Sequence, residues 1–251
     1  MANDILLETR DLSREFSGFL AVNNVALRVR RGTIHALIGP NGAGKTTVFN
    51  LLTRFLDPTR GIILYRGEDI TRARPAEIAR RGLVRSFQMS AVFPSLTVLE
   101  NVRVALQREL GTSFKFWRSE RTLSALDERA MALLASVGLA DAHAELAVEL
   151  PYGHKRALEL ATTLALDPEL LLLDEPTQGM GHEDVGRVTA LIERVAAHRT
   201  VLMVEHNLSV VADLSDVITV LSRGSVLAEG SYREVARDPR VLEAYLGSAE
   251  A

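Results

Sequence analysis

Eight residues constrain this chain more than the rest of its sequence. Gly39-Pro40-Asn41-Gly42-Ala43-Gly44-Lys45-Thr46 satisfies the spacing G-x-x-x-x-G-K-[ST], directly after the apolar run Ile34 to Ile38 and directly before the helix-like Thr47 to Leu52. A strand, a glycine loop and a helix in that order have one efficient use. The glycines let backbone amides curl around a β-phosphate, and the helix N-terminus adds partial positive charge. Lys45 reaches the β and γ oxygens while the Thr46 hydroxyl ligates Mg²⁺. Gly39, Asn41, Gly42, Ala43, Gly44, Lys45, Thr46 and Thr47 are therefore the expected nucleotide-binding set.

A second stretch supplies what such a loop lacks. Leu170-Leu171-Leu172-Leu173-Asp174-Glu175-Pro176 reads as a buried apolar strand ending in two carboxylates. Asp174 is expected to hold the magnesium through water. Glu175, one residue further on, is placed to polarise the attacking water, a role for a carboxylate beside the γ-phosphate that is not bonded to the metal.

The rest of the pattern is α/β. Short β-type runs recur at Ile5 to Leu7, Ala21 to Val29, Thr33 to Ile38, Ile62 to Tyr65, Leu83 to Phe87, Leu170 to Leu173, Thr200 to Val204, Val217 to Leu221 and Val226 to Glu229. Several are continuous apolar runs followed by helix-period segments, the signature of parallel strands covered on both faces. Helical stripes stand out at Ala157, Leu158, Ala161, Leu164 and Ala165, and at Val185, Val188, Leu191, Ile192 and Val195. Between Phe87 and Leu170 the pattern is almost wholly helical, which predicts a helical insertion over Met89 to Glu159. Leu110 to Glu120, with Phe114, Phe116 and Trp117, reads as a loop whose aromatic residues either pack locally or form a contact surface.

Composition narrows the class further. Lys plus Arg (29) nearly balances Asp plus Glu (32), giving a net charge of −3, so no global basic field draws the chain to nucleic acid or anionic lipid. Only three basic residues are lysines, Lys45, Lys115 and Lys155. Cysteine is absent, which removes disulfides, thiolate metal sites and cysteine nucleophiles. The first residues carry no basic region followed by an apolar one, and no apolar stretch approaches the roughly 20 residues of a membrane helix.

With these motifs in register the chain resembles the nucleotide-binding subunit of an ABC transporter, from Ile5 to about Gly247. The resemblance implies a P-loop NTPase (RecA-like) core with a mostly parallel sheet, an antiparallel β subdomain near the N-terminus and the inserted helical subdomain. Residues 1–88 and 160–251 would form the core with its β subdomain, and 89–159 the helical part, in a single ABC ATPase domain. It implies ATP and Mg²⁺ as cofactors and adds three site residues. Gln88 is similar to the family's Q-loop glutamine, which contacts the metal or the water. His206, within Val204-Glu205-His206-Asn207, is similar to its switch histidine, which reads the γ-phosphate. Phe16 sits where the family stacks an aromatic ring on adenine.

Two segments depart from that family. Its signature stretch, usually Leu-Ser-Gly-Gly-Gln, is here Leu150-Pro151-Tyr152-Gly153-His154. In the family this segment caps the γ-phosphate held by the opposite subunit. Pro151 offers neither a hydroxyl nor an amide hydrogen, which leaves the Tyr152 hydroxyl, the Gly153 amide and the start of a helix predicted over His154 to Leu166. After Pro176, Gln178-Gly179-Met180-Gly181 replaces the usual Ser-Ala-Leu-Asp, so a carboxylate is missing at Gly181.

The stretch Phe87 to Val102 and the ending Asp238 to Gly247 resemble the branched-chain amino-acid importer branch, with features shared by relatives that move urea or short amides. That resemblance implies integral-membrane permease partners, a second ATP-binding subunit in a homo- or heterodimer, a periplasmic solute-binding protein acting indirectly, and a peripheral place on the cytoplasmic face of the inner membrane. Val92, Phe93, Pro94 and Leu96 would grip the permease or else form subdomain core. Three rivals remain. A DNA-repair or translation scaffold usually carries two cassettes or a long coiled coil, neither of which is present. An ABC exporter is not separated from an importer by the residues themselves. A soluble P-loop kinase or GTPase leaves Gln88 and His206 without a role, and a GTPase also lacks an Asn-Lys-x-Asp motif.

Overall fold

The computed structural model describes residues 4–86, 92–107 and 126–246. Gln88, Met89 and the aromatic loop with Phe114, Phe116 and Trp117 lie outside the described residues. In chain order the first elements are β1 (Ile5–Phe16), β2 (Phe19–Val25), β3 (Arg28–Arg30), β4 (Ile34–Ile38), α1 (Lys45–Leu52), β5 (Arg60–Tyr65), β6 (Glu68–Asp69), α2 (Pro75–Arg80) and β7 (Leu83–Ser86). The helical stretch follows with α3 (Val98–Leu106), α4 (Asp127–Ser136) and α5 (Tyr152–Leu164). Then come β8 (Leu170–Asp174), α6 (His182–Ala196), β9 (Thr200–Val204), α7 (Leu208–Leu214), β10 (Val217–Ser222), β11 (Ser225–Gly230), α8 (Tyr232–Val235) and α9 (Pro239–Leu246).

The chain divides into two compact units. One takes residues 1–85, 169–178 and 196–251, and the other 86–168 and 179–195. The first unit holds two sheets. Its six-stranded sheet runs β11-β10-β4-β9-β8-β7, with β10–β4, β4–β9 and β9–β8 parallel and the β10–β11 hairpin antiparallel. Every residue of β4, β8 and β9 is buried, as largely apolar runs require of strands covered on both faces. Each fully buried Leu or Val there contributes about 1.5–3 kcal/mol over its exposed state.

The second sheet is antiparallel, in the order β2-β1-β5-β6 with β3 also on β1. The run Ala21 to Val29 is two strands rather than one, and Thr9 shows why. Its buried hydroxyl donates to the Val25 carbonyl (2.9 Å) and accepts from the Leu27 amide (2.9 Å), so the chain steps across the β1 backbone between β2 and β3. One core serves both sheets: α1 buries Val48, Phe49, Leu51 and Leu52 among Leu6, Leu7 and Ile63 of the antiparallel sheet and Leu170, Leu172 and Leu202 of the parallel one.

The second unit is helical, built from α3, α4, α5 and most of α6. A capping box starts α3: Thr97 Oγ1 accepts from the Glu100 amide (3.2 Å) and Glu100 Oε2 accepts from the Thr97 amide (2.8 Å). The buried Asn101 side chain accepts from the Phe93 amide (2.7 Å) and donates to the Thr97 carbonyl (2.9 Å), fixing the turn before the helix. That turn leaves Phe93 51% exposed, so its ring is not part of a core. Helix α5 begins at Tyr152 after Pro151, two residues earlier than its apolar stripe suggests, which puts Tyr152 and Gly153 in the first turn.

Candidate nucleotide site

The phosphate loop leaves β4 at Gly39 and enters α1 at Lys45. Two of its glycines are required by what surrounds them. Gly39 (φ 151°) lies so close to the Leu221 carbonyl that a Cβ would collide with it, and at Gly44 (φ 101°) a Cβ would stand 2.6 Å from the Ala21 carbonyl. Gly42 also takes positive φ (76°). Asn41, Gly42 and Thr46 are exposed, Thr47 is half-buried and Ala43 is buried, so the loop shows one face to solvent and packs with the other.

Lys45 is 6% exposed, and its ammonium donates to the loop's own carbonyls, Gly39 O at 2.7 Å and Pro40 O at 2.9 Å. Burial pushes its pKa below the usual lysine value, while the Glu175 carboxylate pulls it back up. A charged ammonium spanning two carbonyls inside a glycine loop is a ready counter-ion for phosphate oxygens.

Opposite the loop stand the loops that follow β8 and β9. Asp174 closes β8, buried, and Glu175 takes φ 47°, a left-handed conformation that costs a non-glycine residue about 1–3 kcal/mol. Two bonds tie Glu175 itself in place, and a third braces the loop beside it. The Glu175 amide donates to the Val204 carbonyl (2.9 Å). His206 Nε2–H donates to Glu175 Oε1 at 2.6 Å. The Thr177 hydroxyl donates to Glu205 Oε1. Glu205 is buried, and desolvation raises its pKa.

Lys45, Glu175 and His206 are thus brought together, and Asp174 stands beside them. Phe16 is apart in kind: it ends β1, 38% exposed, with the Arg14 guanidinium 4.6 Å from its ring centroid. Tyr152, Gly153 and His154 belong to the helical unit, with Tyr152 59% exposed. Gln88 lies outside the described residues.

Two partners were not foreseen from sequence. Arg85, on β7, pairs with Asp174 Oδ2 and donates to Asn50 Oδ1 on α1 at 2.7 Å. Its signal is a lone cation inside the apolar run Leu83 to Phe87. Tyr245, on α9, is half-buried and shares a hydrogen bond with the Gly39 backbone. Between α9, the β10–β11 turn and the loop lies a cleft of about 700 Å³ lined by Asn41, Gly42, Arg223, Arg240 and Glu243.

The donor set suits magnesium delivered with a nucleotide. Among the described residues no three His, Cys, Asp or Glu side chains gather as a metal cage. One buried carboxylate, Asp174, and one exposed hydroxyl, Thr46, match an ion that takes its other ligands from phosphates and water.

The family model described as ABC transporter matches residues 22–178, and that of the branched-chain amino acid ATP-binding cassette transporter matches 225–251. The high-affinity branched-chain amino acid transport ATP-binding protein BraF of Pseudomonas aeruginosa is 40% identical over 254 residues, covering 97% of this chain and 98% of BraF. LivG of Escherichia coli, of the same description, is also 40% identical, with coverage of 97% and 98%. Among solved structures, an ATP-binding cassette of an ABC transporter in its ADP conformation superposes with a TM-score of 0.86 at 30% identity, covering 98% of this chain and all of that one.

Proposed function

The chain belongs to the ABC transporter ATP-binding family, and on that premise we propose that it is the ATP-hydrolysing subunit of an importer for branched-chain amino acids. The observation that carries the enzymatic part is the buried Lys45 ammonium in its glycine loop, under the charge of Glu175 and beside Asp174. Similarity to transport ATP-binding proteins over 97% of the chain supports the transporter part.

In this reading the loop amides from Gly39 to Thr46 and the Lys45 ammonium bind the β and γ phosphates, and Lys45 exchanges its loop carbonyls for phosphate oxygens. Thr46, Asp174 and Gln88 hold the magnesium, which when bound neutralises charge developing on the phosphoryl oxygens. Glu175, held at Oε1 by His206, takes the proton of the attacking water as it moves toward the γ-phosphorus. The strained backbone at Glu175 and its ties to Val204 and His206 fix that carboxylate before substrate arrives. Thr47 supports the phosphates, and Phe16 meets the adenine. Tyr152, Gly153 and His154 face the nucleotide of a second ATP-binding subunit.

No described helix is long and apolar enough to cross a membrane. The partners proposed, from the similarity to transport ATP-binding proteins, are integral permease subunits, with the exposed Phe93 and its neighbours Val92, Pro94 and Leu96 as the contact, a periplasmic solute-binding protein acting through them, and a station on the cytoplasmic face of the membrane. We assign no nucleic-acid partner. The test is twofold: phosphate release from Mg-ATP by the purified chain, and the set of proteins that copurify with it from detergent-solubilised membranes. A permease and a solute-binding protein are expected there; a ribosome or DNA-repair complex in their place would reject the transport reading.

A further inference from the structure

The most informative group outside the expected set is Arg85. Its side chain is 7% exposed and that of Asp174 4%, and the two are ion-paired through Asp174 Oδ2. The same guanidinium donates to Asn50 Oδ1 at 2.7 Å and lies 5.6 Å from the centroid of the Phe49 ring. Three elements meet on this one side chain: β7, which carries it; α1, through Asn50 and Phe49; and β8, through Asp174.

A buried ion pair is weak evidence for stability, because desolvating both charges costs about as much as their attraction returns and apolar replacements often serve as well. Its retention here points to what it orients. Asn50 sits on the helix that starts at Lys45 and Thr46, so the guanidinium sets the spacing between that helix and the carboxylate at the end of β8. These two elements supply the Thr46 hydroxyl and the Asp174 carboxylate that the function proposed above assigns to magnesium. The planar fork of an arginine can hold an amide oxygen and a carboxylate at once in fixed geometry, which a lysine cannot.

We propose that Arg85 is a positioning residue for the metal half of the site, holding Asp174 against α1 at the separation that nucleotide-bound magnesium needs. The inference rests on the nucleotide reading above. It does not require Arg85 to touch nucleotide, and it assigns to Arg85 an effect on the magnesium-dependent part of binding alone.

The test is binding of a fluorescent ATP analogue to the full chain, measured in EDTA and in saturating Mg²⁺. The magnesium gain is the ratio of the two dissociation constants. Arg85→Met keeps the apolar stem over Phe49 and removes the fork. It is expected to cut the gain at least tenfold while the affinity in EDTA stays within twofold, because Lys45 and the loop amides are untouched. Arg85→Lys should recover part of the gain. In an Asp174→Asn background, Arg85→Met should change the gain no further. Asn50→Leu removes only the tether to α1 and decides the matter should Arg85→Met fail to fold: a gain reduced about threefold supports the proposal, and an unchanged gain overturns it. A gain preserved in folded Arg85→Met, with only a lower melting temperature, overturns the positioning role and leaves the nucleotide reading standing. A wild-type chain with no magnesium gain overturns both.

Discussion

The phosphate loop and the Leu150 to His154 segment both place a helix N-terminus where an anion can sit, yet they are built in opposite ways. At the loop, the positive end of α1 is reinforced by a buried ammonium, by glycines that admit no side chain and by a carboxylate pair across the site. At the start of α5 the N-cap is Pro151, which makes no side-chain capping bond, and the carboxylate of Asp184 stands against Gly153, 2.9 Å from where a Cβ would be. That helix end already faces an anion of its own chain. The reinforced helix end keeps its positive field for an outside anion, and the self-neutralised one has less of it left.

The comparison breaks first at Glu175. Glu175→Gln should lower steady-state phosphate release by about 10²–10⁴-fold, the usual worth of a positioned general base, with nucleotide binding retained. Undiminished turnover would remove the carboxylate pair from the account of the strong site.

Beneath the loop, His35 on β4 is fully buried, its Nε2 2.8 Å from the Thr219 hydroxyl, which in turn donates to Glu229 (2.8 Å). Burial lowers its pKa from 6.5 to about 4. The unfolded chain therefore binds more protons between those values, so stability is full above pH 6.5 and declines as the pH falls toward 4, by about 3 kcal/mol in total. Chemical denaturation at pH 7.5, 5.5 and 4.5 should show that decline, and His35→Gln should flatten it.

Lys45→Ala should weaken ATP-analogue binding about 10- to 100-fold, the scale of one or two charge-assisted bonds at about 1.5–3 kcal/mol each. The smallest effects contrast glycines in the two regions. Gly44→Ala should lose about 1–3 kcal/mol of stability, with nucleotide binding impaired, because positive φ and the Ala21 carbonyl both oppose a Cβ. Gly153→Ala meets only a side chain that can swing aside and should change turnover less than about threefold, within the modest range of ordinary substitutions. Equal losses at the two glycines would erase the distinction between the regions.

What the sequence made legible was contiguous. Gly39 to Thr46 and Leu170 to Glu175 each carry their chemistry within a few residues, with flanking apolar runs that specify strand or helix, so loop, carboxylates and the α/β architecture were all readable. Partners far apart in the chain were not. Arg85 and His35 look like isolated polar residues in apolar strands until the sheet brings Asp174, Asn50 and Thr219 alongside. Local detail also escaped where side chains override pattern. Ile5 to Leu7 is the start of a twelve-residue strand that runs through polar residues to Phe16, because β1 is paired along its length by β2, β3 and β5. The first turn of α5 carries no apolar stripe, and only the proline before it marks where the helix begins.

The bond between Tyr245 and the Gly39 backbone has a practical consequence. A residue near position 251 is wired to the first glycine of the loop proposed above to grip ATP. A change at that tyrosine, Tyr245→Phe for instance, would reach the phosphate loop through this bond.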